Sequence, residues 1–243
     1  MMNSLKGALT RPAAIACVLA AAATPQIASA QVYTGTFTAL NGSSASGTTT
    51  LTLDANAKTL NVMIHVMGLE PGGVHVGHIH GRVDANGMPL DSTTPTLAQD
   101  TDRDGYVELA EGQVTYGPIL VDFMNTDPNM DGVVDFNRTF NLLDPTIYGA
   151  GFNIMSLLGP NLDELSLREI VLHGLTVPAG PGAGTPGEVN GTNGYLTVLP
   201  VASAELVRAV PEPATWAMML LGFGGIGVAM RRSRNRKGSL QIA

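Results

Sequence analysis

The chain reads as an all-β protein: an antiparallel β-sandwich followed by one C-terminal apolar helix. Three observations lead there. Apolar residues recur with period two from Val32 onward. Turn signals punctuate the chain at Asn41-Gly42, Pro71-Gly72-Gly73, Asn86-Gly87 and Asn190-Gly191. The middle of the chain carries one short helical pattern, over 161–168.

The elements follow in order. Lys6 and Arg11 precede an apolar run over 13–23, and Ala28-Ser29-Ala30 supplies a small-x-small site. This predicts a signal peptide over 1–30, cut by signal peptidase after Ala30. Residues 32–40 and 48–54 are Thr-rich strands with apolar residues on one side. Leu60, Val62, Ile64 and Val66 alternate with Asn61, Met63, His65 and Met67, giving one apolar and one mixed face. Further strands are predicted over 114–123, 135–142, 169–175, 195–199 and 204–207, with a mobile Gly/Pro-rich loop over 180–191. Residues 31–209 therefore form one domain, and 210–237 a separate terminal segment.

Charge narrows the partners. The chain carries −7 overall, yet seven of its thirteen basic residues lie in the two ends. The middle holds six basic residues against nineteen acidic ones. Such a surface repels phosphate backbones and attracts cations, which excludes nucleic acid as a partner. The one cysteine, Cys17, lies in the signal segment, so the mature domain has no thiol for a disulfide or a metal.

Asp100, Asp102 and Asp104, with Gly105, the carbonyl of Tyr106, Glu108 and Glu111, match the twelve-residue EF-hand loop at its key positions. Short carboxylates on a tight turn converge, and a ring of anions repels itself without a cation. The plainer reading is a solvated Asp-Gly turn. A second loop repeats part of the pattern: Asp127, Asn129 and Asp131 precede Gly132, and Asp135 follows, but Arg138 stands where the closing acid belongs. It reads equally as a weak calcium site or a turn. With a strand over 114–123, neither loop has flanking helices, so both are expected to pin loops in place.

His78 and His80 share one face of a strand, because side chains repeat every two residues. His173, on a later strand, completes a three-nitrogen set for copper or zinc. His65 and His75 read as supporting or polar-face residues. A hydrogen-bonded structural role is the plainer alternative for each histidine.

Val210-Pro211-Glu212-Pro213, an apolar run over 214–230 and the arginine cluster from Arg231 to Lys237 closely resemble the PEP-CTERM sorting signal of Gram-negative bacteria. Seventeen residues at about 1.5 Å each reach about 25 Å, which predicts a transmembrane helix. The resemblance implies an exosortase partner, an inner-membrane intermediate, and a final place at the cell surface or outside the cell. An ordinary tail anchor is the alternative.

Gly77-His78-Ile79-His80-Gly81, the stretch over 111–118, the run Arg168-Glu169-Ile170-Val171-Leu172-His173-Gly174 and residues 197–204 resemble, in order, a CHRD domain. That resemblance implies an immunoglobulin-like sandwich. The same landmarks resemble a distant relative of Cu/Zn superoxide dismutase. There the H-x-H strand and the late histidine imply copper ligands. The chain departs from that enzyme: residues 81–172 hold no histidine, so the bridging histidine and zinc loop have no counterparts. No arginine stands near His173 to guide an anionic substrate. The leading expectation is therefore a calcium-stabilised, exported CHRD protein with a structural or binding role, its partners extracellular polysaccharide or surface proteins. The alternative is a copper-only, dismutase-like redox enzyme on His78, His80 and His173.

Overall fold

The computed structural model describes residues 30–177, 194–209 and 213–238. The signal segment before Ala30, the loop over 180–191, and Pro211 and Glu212 of the sorting motif lie outside the described residues.

Two five-stranded antiparallel sheets face each other. The first is built from β1 (Gln31–Thr36), β3 (Ser46–Asp54), β4 (Thr59–Met67) and β9 (Val134–Asn141), with β12 (Val207–Arg208) beside β1 at one edge. The second runs β2 (Thr38–Ala39), β11 (Gly194–Glu205), β10 (Glu169–Val177), β5 (Val76–His80) and β8 (Ile119–Asn125). A small hairpin, β6 (Arg82–Val83) and β7 (Pro89–Leu90), stands apart. The all-β sandwich expected from the alternation is what forms.

The period-two pattern sets which face is buried. Leu51 and Leu53 of β3 and Leu60, Val62, Ile64 and Val66 of β4 point inward and are buried. Ile79, Ile170, Leu172, Ala202 and Ala204 meet them from the second sheet, in one continuous core. Each fully buried leucine or isoleucine contributes about 1.5–3 kcal/mol relative to exposure. With no cysteine in the described residues, this core carries the fold.

One expectation needs correction. Residues 114–116 are not strand: α1 (Leu109–Tyr116) occupies that stretch, and β8 begins only at Ile119. Glu108 and Glu111 form a capping box at its start, and Gly117, at φ 85, ends it. The first acidic loop is thus followed directly by a helix. A 3₁₀ turn, Leu97–Gln99, precedes it. At the C-terminus the expected transmembrane span is not confirmed. Residues 214–230 do lie in a helix, α3 (Pro213–Gly238), but among the described residues no helix is long and apolar enough to cross a membrane. Gly222, Gly224, Gly225 and Gly227 dilute the apolar run, and Arg231 closes it.

Two short helical pieces pack against each other and against β7: α2 (Ile154–Leu158), capped by the Asn153 side chain, and a 3₁₀ turn at Glu164–Leu167 that also meets β12. The latter lies within the helical pattern expected over 161–168.

Candidate metal centre

His78 and His80 alternate on β5, and His173 sits on the neighbouring β10. The ladder pairs His78 with Val171 and His80 with Glu169, so all three imidazoles share the face of the second sheet that points away from the core. That face is not wet. Its cover, which includes α1, leaves His78 9% exposed and His80 and His173 1% exposed each. The three rings lie 5.1–5.6 Å apart between centroids. One nitrogen from each falls within 4.8 Å of the other two.

The outward partners decide which nitrogen faces in. His80 Nδ1 lies 2.8 Å from the Gly117 carbonyl, and His173 Nδ1 lies 2.9 Å from the Val198 carbonyl. A carbonyl only accepts, so both Nδ1 atoms carry the proton and both Nε2 atoms present a bare lone pair. His78 is turned the other way: its Nε2 lies 3.5 Å from Asp122 Oδ1, leaving Nδ1 inward. Those three inward atoms, His78 Nδ1, His80 Nε2 and His173 Nε2, are buried and find no hydrogen-bond partner among the described residues. Three lone pairs cannot satisfy one another. Each unmet buried acceptor costs about 1–3 kcal/mol.

Burial also fixes the charge state. Burial drives the His173 imidazolium down to about 3, helped by the charge of His78. Burial lowers His78, and Asp122 offsets part of that. His80 falls well below its ordinary value, first through burial and then through the charge of His173. The rings are therefore neutral at physiological pH, the form that ligates metals. Beside them, a cavity of about 420 Å³ reaches His80 and Asp122 between Gln113 of α1 and Tyr148.

His75 and His65 take other roles. His75 touches the carbonyls of His173 at 3.3 Å and Glu70 at 2.9 Å, bracing the backbone behind the centre. His65 stands on the opposite outer face, against Asp135.

The acidic loops are built alike. In the first, Asp100 accepts from the Gly105 N–H at 3.0 Å and Asp104 from the Tyr106 N–H at 2.8 Å. In the second, Asp127 accepts from the Gly132 N–H at 3.0 Å and Asp131 from the Val133 N–H at 2.9 Å. Both fourth residues, Arg103 and Met130, and both sixth, Gly105 and Gly132, have positive φ. In the first loop, carboxylate oxygens of Asp100, Asp102 and Glu111 lie within 4.8 Å of one another, as do those of Asp102, Asp104 and Glu108. Burial, then the charges of Asp102, Asp100 and Glu111, hold Asp104 above its ordinary value. In the second loop Asp127 is fully buried and its Oδ1 has no partner among the described residues. Asp135, on β9, is held by His65.

Two buried charged residues were not expected. Arg168 is fully buried and donates to the carbonyls of Leu157, Arg82, Leu90, Leu167 and Ser156. Glu169, next to it, accepts from the hydroxyls of Thr94 and Ser203. Nothing in their sequence pattern marks them, since charged side chains are mostly exposed.

Residues 209–234 match the PEP-CTERM protein-sorting motif. The motif implies processing by an exosortase, with export and sorting to the surface of a Gram-negative cell. No curated protein matches the chain. Among solved structures, two variants of superoxide dismutase 5 from Candida albicans are similar to the chain. One has 16% identity and a TM-score of 0.35, covering 74% of this chain and 93% of its own. The other has 16% identity and a TM-score of 0.31, covering 75% and 94%.

Proposed function

We propose that this exported sandwich is a copper protein of the cell envelope, holding one ion on His78 Nδ1, His80 Nε2 and His173 Nε2. The observation that carries the reading is the set of three buried nitrogens without partners, on rings that each bring a nitrogen within 4.8 Å of the other two. A Lewis acid satisfies all three at once, and all-nitrogen sites rank Cu(II) highest among the common divalent ions. A copper ion supplies one-electron redox chemistry when bound. The protein's part is to fix the tautomers through Gly117 and Val198, to exclude bulk water with its cover, and to leave one approach through the cavity beside His80. That approach favours a redox or copper-handling role over a purely structural one. Asp122 lines it and no lysine or arginine among the described residues does, so neutral or cationic small molecules suit it better than anions.

Calcium is the second part of the reading. The matched loops, and the partnerless buried oxygen of Asp127, support calcium on Asp100, Asp102, Asp104, Glu108, Glu111 and the Tyr106 carbonyl, and more weakly on Asp127, Asn129 and Asp131. Calcium in the first loop would stiffen the start of α1, which covers the copper ligands. The finer CHRD assignment, with surface polysaccharide or proteins as partners, rests on the order of the short motifs.

Metal analysis of the native protein, purified from its own envelope without chelators, tests the reading. We expect close to one copper per chain. Protein that arrives with zinc alone, or with no transition metal after copper feeding, contradicts it.

A further inference from the structure

The outward face of β4 carries an arrangement that neither the copper centre nor the calcium loops use. Met63, His65 and Met67 alternate with the buried Val62, Ile64 and Val66, so all three point to solvent. Met63 is 49% exposed and Met67 52% exposed. Their neighbours across the ladders are polar: Thr48, Thr50 and Ser46 on β3, and Asp135 and Asn137 on β9. Two large thioethers are out of place on a solvated face of this composition. A stabilising contact does not explain them, because that face is the outside of the first sheet.

The donors suit one another. Same-face neighbours on a strand stand about 6.5–7 Å apart, so Met63 and Met67 stand on either side of His65 in one row. Methionine has three rotatable bonds and leans readily along a strand. His65 is the fixed member. Its Nδ1 lies 2.5 Å from Asp135 Oδ1, directly across the ladder. The carboxylate accepts the Nδ1 proton, which leaves the Nε2 lone pair outward with no partner among the described residues. A carboxylate behind an imidazole is the arrangement that orients ligating histidines and raises their basicity. A depression of about 280 Å³ bounded by Met63, His65, Asp135 and Thr50 gives an ion room beside His65, with Met67 approaching from outside it, and no lysine or arginine among the described residues lines it.

We propose that Met63, His65 and Met67 form a surface site for a single soft monovalent cation, Cu(I), with Asp135 as the positioning residue. Thioether sulfur selects Cu(I) over hard and borderline cations, and one imidazole adds affinity without making the site a general trap for divalent zinc. The site lies on the outer face of the first sheet, whereas the three-histidine centre lies on the outer face of the second. The two bind independently, so this site stands or falls apart from the copper centre.

The test uses the full chain with ¹³C-labelled methionine methyls, titrated anaerobically with Cu(I). The methyl signals of Met63 and Met67 shift together and saturate with one equivalent, while those of exposed Met124 and Met130 stay put. His65→Ala weakens Cu(I) binding at this face at least about tenfold, and Asp135→Asn weakens it about tenfold with the thioethers intact. Neither change alters Cu(II) binding at the histidine centre. Substitutions at these exposed positions leave the core untouched, and an unchanged melting temperature confirms it. Uniform shifts of all exposed methionines, or unchanged binding in both variants, overturn the proposal. Equal binding of Zn(II) in place of Cu(I) also overturns it.

Discussion

The carbonyl of Gly117 accepts the Nδ1 proton of His80 at 2.8 Å. Gly117 is the C-cap of α1, and Glu111, the last residue of the first acidic loop, is the third residue of that helix. One eight-residue helix therefore joins an acidic loop to a member of the histidine cluster. Tyr116, fully buried, packs its ring 4.6 Å from that of His80 and adds a second contact.

Glu111→Gln tests this link. Glutamine keeps the capping box but removes the charge a calcium ion needs. Calcium should raise the melting temperature of the parent chain by several degrees and that of the variant by less than half as much. Copper affinity at the histidine centre should fall about tenfold in the variant, as it does when a partner behind a ligand is lost. Thermal melts with and without calcium read the first, and isothermal copper titration in calcium buffer reads the second. Unchanged copper affinity with lost calcium protection would show that α1 does not couple the sites.

The Arg168 guanidinium is held by five backbone carbonyls. Burial pushes its pKa down to about 10, with Glu164 opposing, so it stays charged. Arg168→Leu strands those carbonyls, at a cost of roughly 3 kcal/mol or more. Arg168→Lys keeps the charge but loses the planar fork, and should recover little. Thermal melts should show both variants lower by about 10 °C. A full recovery by lysine would mean that charge, not geometry, matters there.

Burial raises Glu169 from 4.5 to about 7, against the hydrogen bonds from Ser203 and Thr94. Between those values the folded chain keeps a proton that the unfolded chain has released. Stability must therefore fall as pH rises from about 4.5 to 7, by roughly 3 kcal/mol from this group, and level off above. Denaturant melts across that range, compared with Glu169→Gln, isolate the effect. A variant with the same slope as the parent removes Glu169 as its source.

The sandwich was legible because Leu60, Val62, Ile64 and Val66 declare a buried face with no competing signal. The clustering of three histidines was legible for a related reason: H-x-H on a strand puts two rings on one side, and His173, on a late strand, was the natural third. The helix α1 was not. Val114, Thr115 and Tyr116 favour strand by local preference, Gly112 weakens a helix, and only Gly112 and Tyr116 of the eight residues are buried. The helix forms because the capping box starts it and the contact of Tyr116 with His80 holds its end. Arg168 and Glu169 were hidden for the opposite reason. Their side chains are satisfied by groups from distant segments, and no local pattern encodes such a partner.

Cu(II) titration of the calcium-loaded full chain, followed by electron paramagnetic resonance, bears most directly on the three-histidine centre. One equivalent should give a single spectrum with coupling to several nitrogens. His173→Asn, a similar-sized change at the edge of the triad, should abolish that spectrum while the protein still melts cooperatively. A parent chain that takes up no Cu(II), or a variant whose spectrum matches the parent's, would contradict the account at its root.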